Sequence, residues 1–325
     1  MARIRVAASI AATSDYPTQR EACRLAEAGG FDAFARPDHL LAEGALAPPG
    51  APILECFTSI AALVPTTTRL RFVQTVACNS FRNPALLAKM VASLDVVSGG
   101  RVELGLGAGW LREEYEAYGF EFPPIGVRLG QLQEALQIVK RLWTGEPVDY
   151  EGRYYRLRAA VCAPAPVQRP RPPILVGGGG PGVLAIAAAE ADIVNVVPVA
   201  ARAAGGTDAG RFTLEGFRRK IARVRELADA AGRDPATLTF SGMFFVQLAE
   251  TAAEAQRLRG AVAARYGLAQ AEVADFPLFL IGTPAELRER LAERVGRLDL
   301  GHVVLQCGTT AVLARVATEV LPALR

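Results

Sequence analysis

The chain has 325 residues, 51% of them hydrophobic and 21% charged, a composition that suits a globular protein with a large core. Its formal charge of +3 is small, and its basic residues, all arginine except Lys89, Lys140 and Lys220, are interspersed with acids as in LRERLAERVGR, which argues against a nucleic-acid face. No apolar run reaches the ~20 residues of a membrane span, and MARIRVAASI has too short an apolar stretch for a signal peptide, so a cytoplasmic protein is expected.

Short β-branched runs alternate with amphipathic segments. RIRVAAS (3–9) reads as a strand, and Thr18 with Glu21 as a capping box opening a helix that Gly29-Gly30 end. FDAFA (31–35) is a second strand, followed by a helix near 53–64, and RLRFVQTVA (69–77) is a third. Asn83-Pro84 start the next helix, with Leu87, Val91 and Leu94 along one side. RVELGL (101–106) is the fourth strand. Leu129, Leu132, Leu136, Val139 and Trp143 then recur at steps of three and four, one buried helical stripe that Gly145 ends.

A tyrosine-rich, hairpin-like excursion (146–160) and a proline-dense link (163–173) follow, with Tyr150, Tyr154 and Tyr155 expected to pack the hairpin. Strands are expected at 174–178, 191–197, 237–248 and 302–307, with Thr283 and Glu286 capping the helix before the last. Eight strands, each followed by a helix, predict a single (β/α)8 barrel over residues 1–325. A doubly wound sheet is the alternative. The segments 146–173 and 199–213 are expected to be insertions in βα loops, at the end of the barrel where active sites sit.

Five cysteines without a CxxC pair argue against a disulfide framework or zinc ribbon, and two histidines exclude a three-histidine metal site. No GxSxG elbow or GxxxxGK[ST] loop occurs. Gly105, Gly107 and Gly109 lie at and just past the end of the fourth strand, but their GxGxG spacing is one residue short of a dinucleotide fingerprint. No acid-bearing strand follows about 20 residues later, so no pyrophosphate site is predicted. Either these glycines let a flat ligand approach the backbone, with Trp110 as a wall, or they make a tight turn with Trp110 as core filling.

The second strand runs into RPDHL, which places Asp38 and His39 at the active-site end. His39 there suits proton transfer near neutral pH, with Asp38 accepting its hydrogen bond; the plain alternative is a turn-capping aspartate beside a solvated histidine. The fifth strand runs into Gly177, Gly178, Gly179 and Gly180 before a helix, a place for a phosphate or carboxylate. His302, at the start of the eighth strand, reads as structural.

Together, the strand-end Asp-His pair, GRVELGLGAGW, GVRLGQLQEALQIVKRLW and PVQRPRPPILVGGGG resemble the luciferase-like monooxygenase superfamily, most of all its coenzyme F420-dependent (deazaflavin) oxidoreductases of actinobacteria. The resemblance runs from the first strand to the last. It implies hydride transfer between F420 and a small organic substrate, with Asp38 and His39 beside the deazaflavin ring and His39 handling a proton. It places Thr75-Val76 behind the ring as a dipeptide often joined by a cis peptide. It further implies Gly107, Ala108, Gly109 and Trp110 lining the cofactor, Gly177 to Gly180 holding its phosphate, and a homodimer. Relatives use FMN in the same barrel, so an FMN-dependent monooxygenase using O2 is the alternative, and a flavin carrier without turnover is a second. Members acting on a sugar phosphate carry glutamate where this chain has Trp110, which points to a more apolar substrate.

Overall fold

Along the strands of this chain, large apolar side chains alternate with small or polar ones, the pattern of a strand that presents different partners on its two faces. The computed structural model describes residues 3–42, 50–198 and 213–324. Its strands are β1 (Arg5–Ser9), β2 (Ala33–Arg36), β3 (Arg71–Gln74), β4 (Ala77–Cys78), β5 (Val102–Gly107), β6 (Val148–Glu151), β7 (Arg156–Ala160), β8 (Ile174–Gly178), β9 (Ile193–Val196), β10 (Thr239–Leu248), β11 (Phe279–Gly282) and β12 (Leu300–Gln306). Eight of them, in the order β1-β2-β3-β5-β8-β9-β10-β12, pair in parallel, and β12 returns to β1, which closes the predicted barrel. The helices are α1 (Tyr16–Ala28), α2 (Cys56–Leu63), α3 (Pro84–Ser98), α4 (Arg112–Ala117), α5 (Ile125–Leu142), α6 (Pro181–Glu190), α7 (Leu214–Ala230), α8 (Ala252–Tyr266), α9 (Glu272–Asp275), α10 (Pro284–Leu298) and α11 (Thr310–Arg315).

Two apolar layers result. Ala7, Ala33, Ala35, Val73, Leu175, Ile193 and Val304 form a small inner cluster. Their strand neighbours, among them Val6, Phe34, Leu104, Val176 and Leu305, join the larger cluster under the helices. The strand starts carry a polar layer: Arg5 and Arg71 each donate to Glu103 Oε1 at 2.7 Å, and Ser241 Oγ lies 2.8 Å from His302 Nδ1. His302 is fully buried there, and burial pushes its pKa down to about 4. It is a neutral structural residue at the bottom of the barrel.

Three expectations need correction. The capping residue of α1 is Asp15, which accepts from the Thr18 N–H at 2.9 Å, so the helix starts one turn before the expected box. A ninth parallel strand, β11, pairs with β10 from Phe245 to Leu248, outside the ring. The segment 146–173 is no βα loop: it joins α5 to β8, and Gln168 binds Arg71 and the Val102 carbonyl at the strand starts. The β6–β7 hairpin nevertheless lies along α5, where Glu134 accepts the N–H groups of Arg153, Tyr154 and Tyr155. Its Tyr155 hydroxyl lies 3.5 Å from Asn79 Nδ2, just past β4. The other expected insertion, 199–213, falls between β9 and α7 as a βα connection should, and its residues 199–212 lie outside the described residues.

Candidate active site

The C-terminal ends of β2, β3, β5 and β8 bring most of the expected residues to one end of the barrel, where loops rather than strand pairing determine which side chains face outward. Pro37 ends β2, and the chain turns so that Asp38 is buried and His39 is partly exposed. Asp38 does not hold His39. Its Oδ2 accepts from the Cys78 N–H at 2.9 Å and from Arg82 Nη1 at 2.7 Å, while Oδ1 accepts from Arg82 Nη2 at 2.9 Å. Arg82 also donates to Glu55, the capping residue of α2, and lies over the Phe57 ring at 4.4 Å. Burial opposes the charge on Arg82, but its bonds to Asp38 and Glu55 outweigh that and raise its pKa above the usual arginine value. Asp38 is thus an anchor between the β2 and β4 ends.

The carboxylate on His39 belongs to Glu114, in the first turn of α4. Its Oε1 lies 3.0 Å from His39 Nδ1 and also accepts the N–H groups of Leu40 and Leu41, at 2.7 and 3.2 Å. The His39 ring meets Trp110 edge-on, with centroids 5.9 Å apart. Trp110 is 40% exposed, so it is not core filling. Sequence reading missed both Glu114 and Arg82. Their sole signal is an acid or a base within a few residues of a strand end, which many surface positions share.

Behind these residues the Thr75–Val76 peptide is cis, and β4 resumes pairing with β5 directly after it. Val76 then takes the space beside two glycines: a Cβ on Gly107 would sit 2.7 Å from Val76 Cγ2, and one on Gly177 would sit 2.7 Å from Val76 Cγ1. Gly105 faces the Gln74 carbonyl oxygen, 1.7 Å from where its Cβ would lie. Gly109 has φ +74°, and its Cβ would fall 1.9 Å from the Tyr115 hydroxyl. The first neighbours of these glycines are therefore the protein's own atoms, which amends the expectation that they clear space for a ligand. Arg128 of α5 binds the Gly109 carbonyl and lies 4.1 Å over Phe122, which fixes the loop from outside. Cys78 Sγ lies 3.1 Å from the Tyr115 hydroxyl, and burial holds its pKa up at about 11, so it stays a thiol near neutral pH.

At the end of β8, Gly178 packs against Val183 and Gly179 against the Val197 carbonyl. Gly180 differs. It precedes α6 at its capping position with no side-chain cap, no acid follows in the first turn, and nothing lies within 4 Å of where its Cβ would be. The Lys220 ammonium of α7 would lie 3.0 Å from a Cβ on Gly179. An uncapped helix start beside a lysine is chemically suited to an anion, so these residues fit the phosphate of a flavin-type cofactor. Two surface cavities, of about 230 and 500 Å³, lie among α7 to α10 and involve none of these residues. Among the described residues no group of three His, Cys, Asp or Glu is placed to hold a metal, and no helix is long and apolar enough to cross a membrane.

Comparison with known proteins finds relatives of this chain in sequence and in fold. An uncharacterized protein of Mycobacterium bovis is 36% identical over 184 residues, 57% of each chain. The F420-dependent glucose-6-phosphate dehydrogenase of Microbacterium testaceum is 36% identical over 167 residues, 50% of this chain and 47% of that one. The match thus spans about half the length of these curated relatives. Among solved structures, the monooxygenase RslO1 from Streptomyces bottropensis superimposes with a TM-score of 0.76 and 25% identity, over 99% of this chain and 100% of its own. The luciferase-like monooxygenase family model matches residues 1–299, and the chain belongs to that family.

Proposed function

We propose that this protein is an oxidoreductase that transfers a hydride between coenzyme F420 and a small organic substrate, with His39 taking or giving the accompanying proton. The observation that carries the reading is the His39 ring itself: partly exposed at the barrel mouth, edge-on to Trp110, and hydrogen-bonded from behind by a buried carboxylate. That is the setting of a proton-transfer histidine. The 36% identity to an F420-dependent dehydrogenase supports the cofactor. Bound F420 supplies the two-electron chemistry. The α6 start at Gly180 would hold its phosphate, the 107–110 segment and the Thr75-Val76 dipeptide would line its ring, and Trp110 would limit access of water. Trp110 also favours an apolar or carbonyl-bearing substrate over a sugar phosphate. Two copies pair through the outer face of α3.

The likeness to the monooxygenase RslO1 over the whole chain favours one other reading, an FMN-dependent enzyme that activates O2. Oxidation of reduced F420 by a panel of small ketones and enones, followed by absorbance under argon and under air, separates the two. The expected result is turnover independent of oxygen, slowed about 10²–10⁴-fold in His39→Ala, the range of a lost general acid or base. Turnover that requires air, with reduced FMN as the better donor, would replace this reading with the oxygen-using one.

A further inference from the structure

The geometry points to Glu114 as the positioning residue for His39, one that holds the imidazole as the tautomer with hydrogen on Nδ1 and a free lone pair on Nε2. This rests on the proposed role of His39 in proton transfer. One carboxylate oxygen, Glu114 Oε1, makes three contacts: His39 Nδ1 at 3.0 Å, Leu40 N–H at 2.7 Å and Leu41 N–H at 3.2 Å. The two backbone groups can only donate, so the oxygen is an acceptor and the hydrogen of the third bond sits on Nδ1. Nε2 is then the ring atom that takes a proton from the substrate side or, once protonated, returns it. Because the same oxygen binds the main chain at 40 and 41, ring and backbone are registered to a single point on α4.

That point is itself fixed. Glu114 is buried, and the adjacent Tyr115 is wedged against the rings of Phe122 and Phe81, with centroids 4.7 and 5.2 Å away, and against Cys78 Sγ. Asp38 does not take the role: its oxygens face Arg82 and the Cys78 N–H, while Nδ1 of His39 lies on Glu114. Removing the outer partner of a metal-bound histidine typically costs about 10–100-fold in affinity or activity, and a loss of that order is expected for this metal-free pair.

With only two histidines in the chain, ¹⁵N NMR of the imidazoles resolves the matter in the full-length protein. His302 is buried and supplies a constant reference signal at neutral pH. In the wild type, the neutral imidazole of His39 is expected as a single tautomer with hydrogen on Nδ1. Glu114→Gln, whose carboxamide oxygen can accept the same three bonds, keeps that tautomer. Glu114→Ala gives a mixture of tautomers and lowers kcat about 10–100-fold with KM within threefold. Hydrogen on Nε2 in the wild type, or an unchanged tautomer in Glu114→Ala, overturns the inference, and the wild-type spectrum decides even if the alanine variant does not fold. Full activity of His39→Ala, with the Nδ1–H tautomer present in the wild type, would instead remove the role of His39 and leave the positioning intact.

Discussion

Val76 is the residue on which the strand ends are built. It follows the cis peptide, and its two methyl groups occupy the places where side chains at 107 and 177 would begin. Gly107→Ala is therefore expected to cost about 1–3 kcal/mol, the usual penalty of overpacking a tight site. Val76→Ala in the same chain should recover part of that loss. Equilibrium denaturation of the two single variants and the double variant measures the coupling, expected at about 0.5–3 kcal/mol; strictly additive losses would mean that the two sites do not compete for one space. Reading the sequence identified these glycines and assigned their purpose to a ligand. The reason is physical: a glycine advertises missing volume, but the occupant lies about 30 residues away in one case and 100 in the other, and only barrel closure brings it there. His39 was legible from its place after a strand. Its partner was not, because the nearest acid in sequence, Asp38, is held by an arginine 44 positions on.

Among the elements, local signatures are legible at two helix starts and misleading at α1, where Asp15 caps in place of the expected Thr18. Asn83 caps α3 with its side chain on the Ala85 N–H, Pro84 stands in the first turn, and Thr283 with Glu286 forms the expected box on α10. Leu132, Leu136 and Val139 of α5 and its capping residue Trp143 are buried, while Leu129, the first residue of the expected stripe, is only partly so. The four-residue β11 escaped notice because a short apolar run next to a helix cap has no periodicity to declare it. The hairpin is legible but its connection is not: it comes after a helix and before a strand, and its length brings Tyr155 near Asn79 at the strand ends. On α3, Leu86, Met90, Ser93 and Val97 share one outward face without a charge, and Leu86 and Val97 are 55% and 69% exposed. A surface of this kind on a barrel helix is what a partner copy would cover. Light scattering should give twice the 34.5 kDa chain mass for the wild type and the single mass for a Leu86→Arg, Val97→Glu variant. A monomeric wild type would dismiss the pairing.

At the scale of the whole molecule, the closed ring has a division of labour. The strand starts hold a buried ionic layer around Glu103 and a neutral His302, and the strand ends hold the residues with exposed chemistry. The parity of eight strand–helix repeats carries this division, which is why the barrel could be inferred from patterning alone while the contacts within its mouth could not. The claim on which the functional account depends is that this mouth takes a deazaflavin, with its phosphate at the start of α6. The direct test is a fluorescence titration of the cofactor-free protein with F420 and, separately, with FMN, beside a Gly180→Asp variant. Position 180 is the one in the glycine loop where a new side chain meets open space, and an aspartate there would cap α6 and place its own negative charge where the phosphate belongs. The expected result is tight F420 binding, weaker FMN binding, and a loss of F420 affinity of at least tenfold in a variant as stable as the wild type. FMN preference, or F420 affinity indifferent to Gly180→Asp, would contradict it.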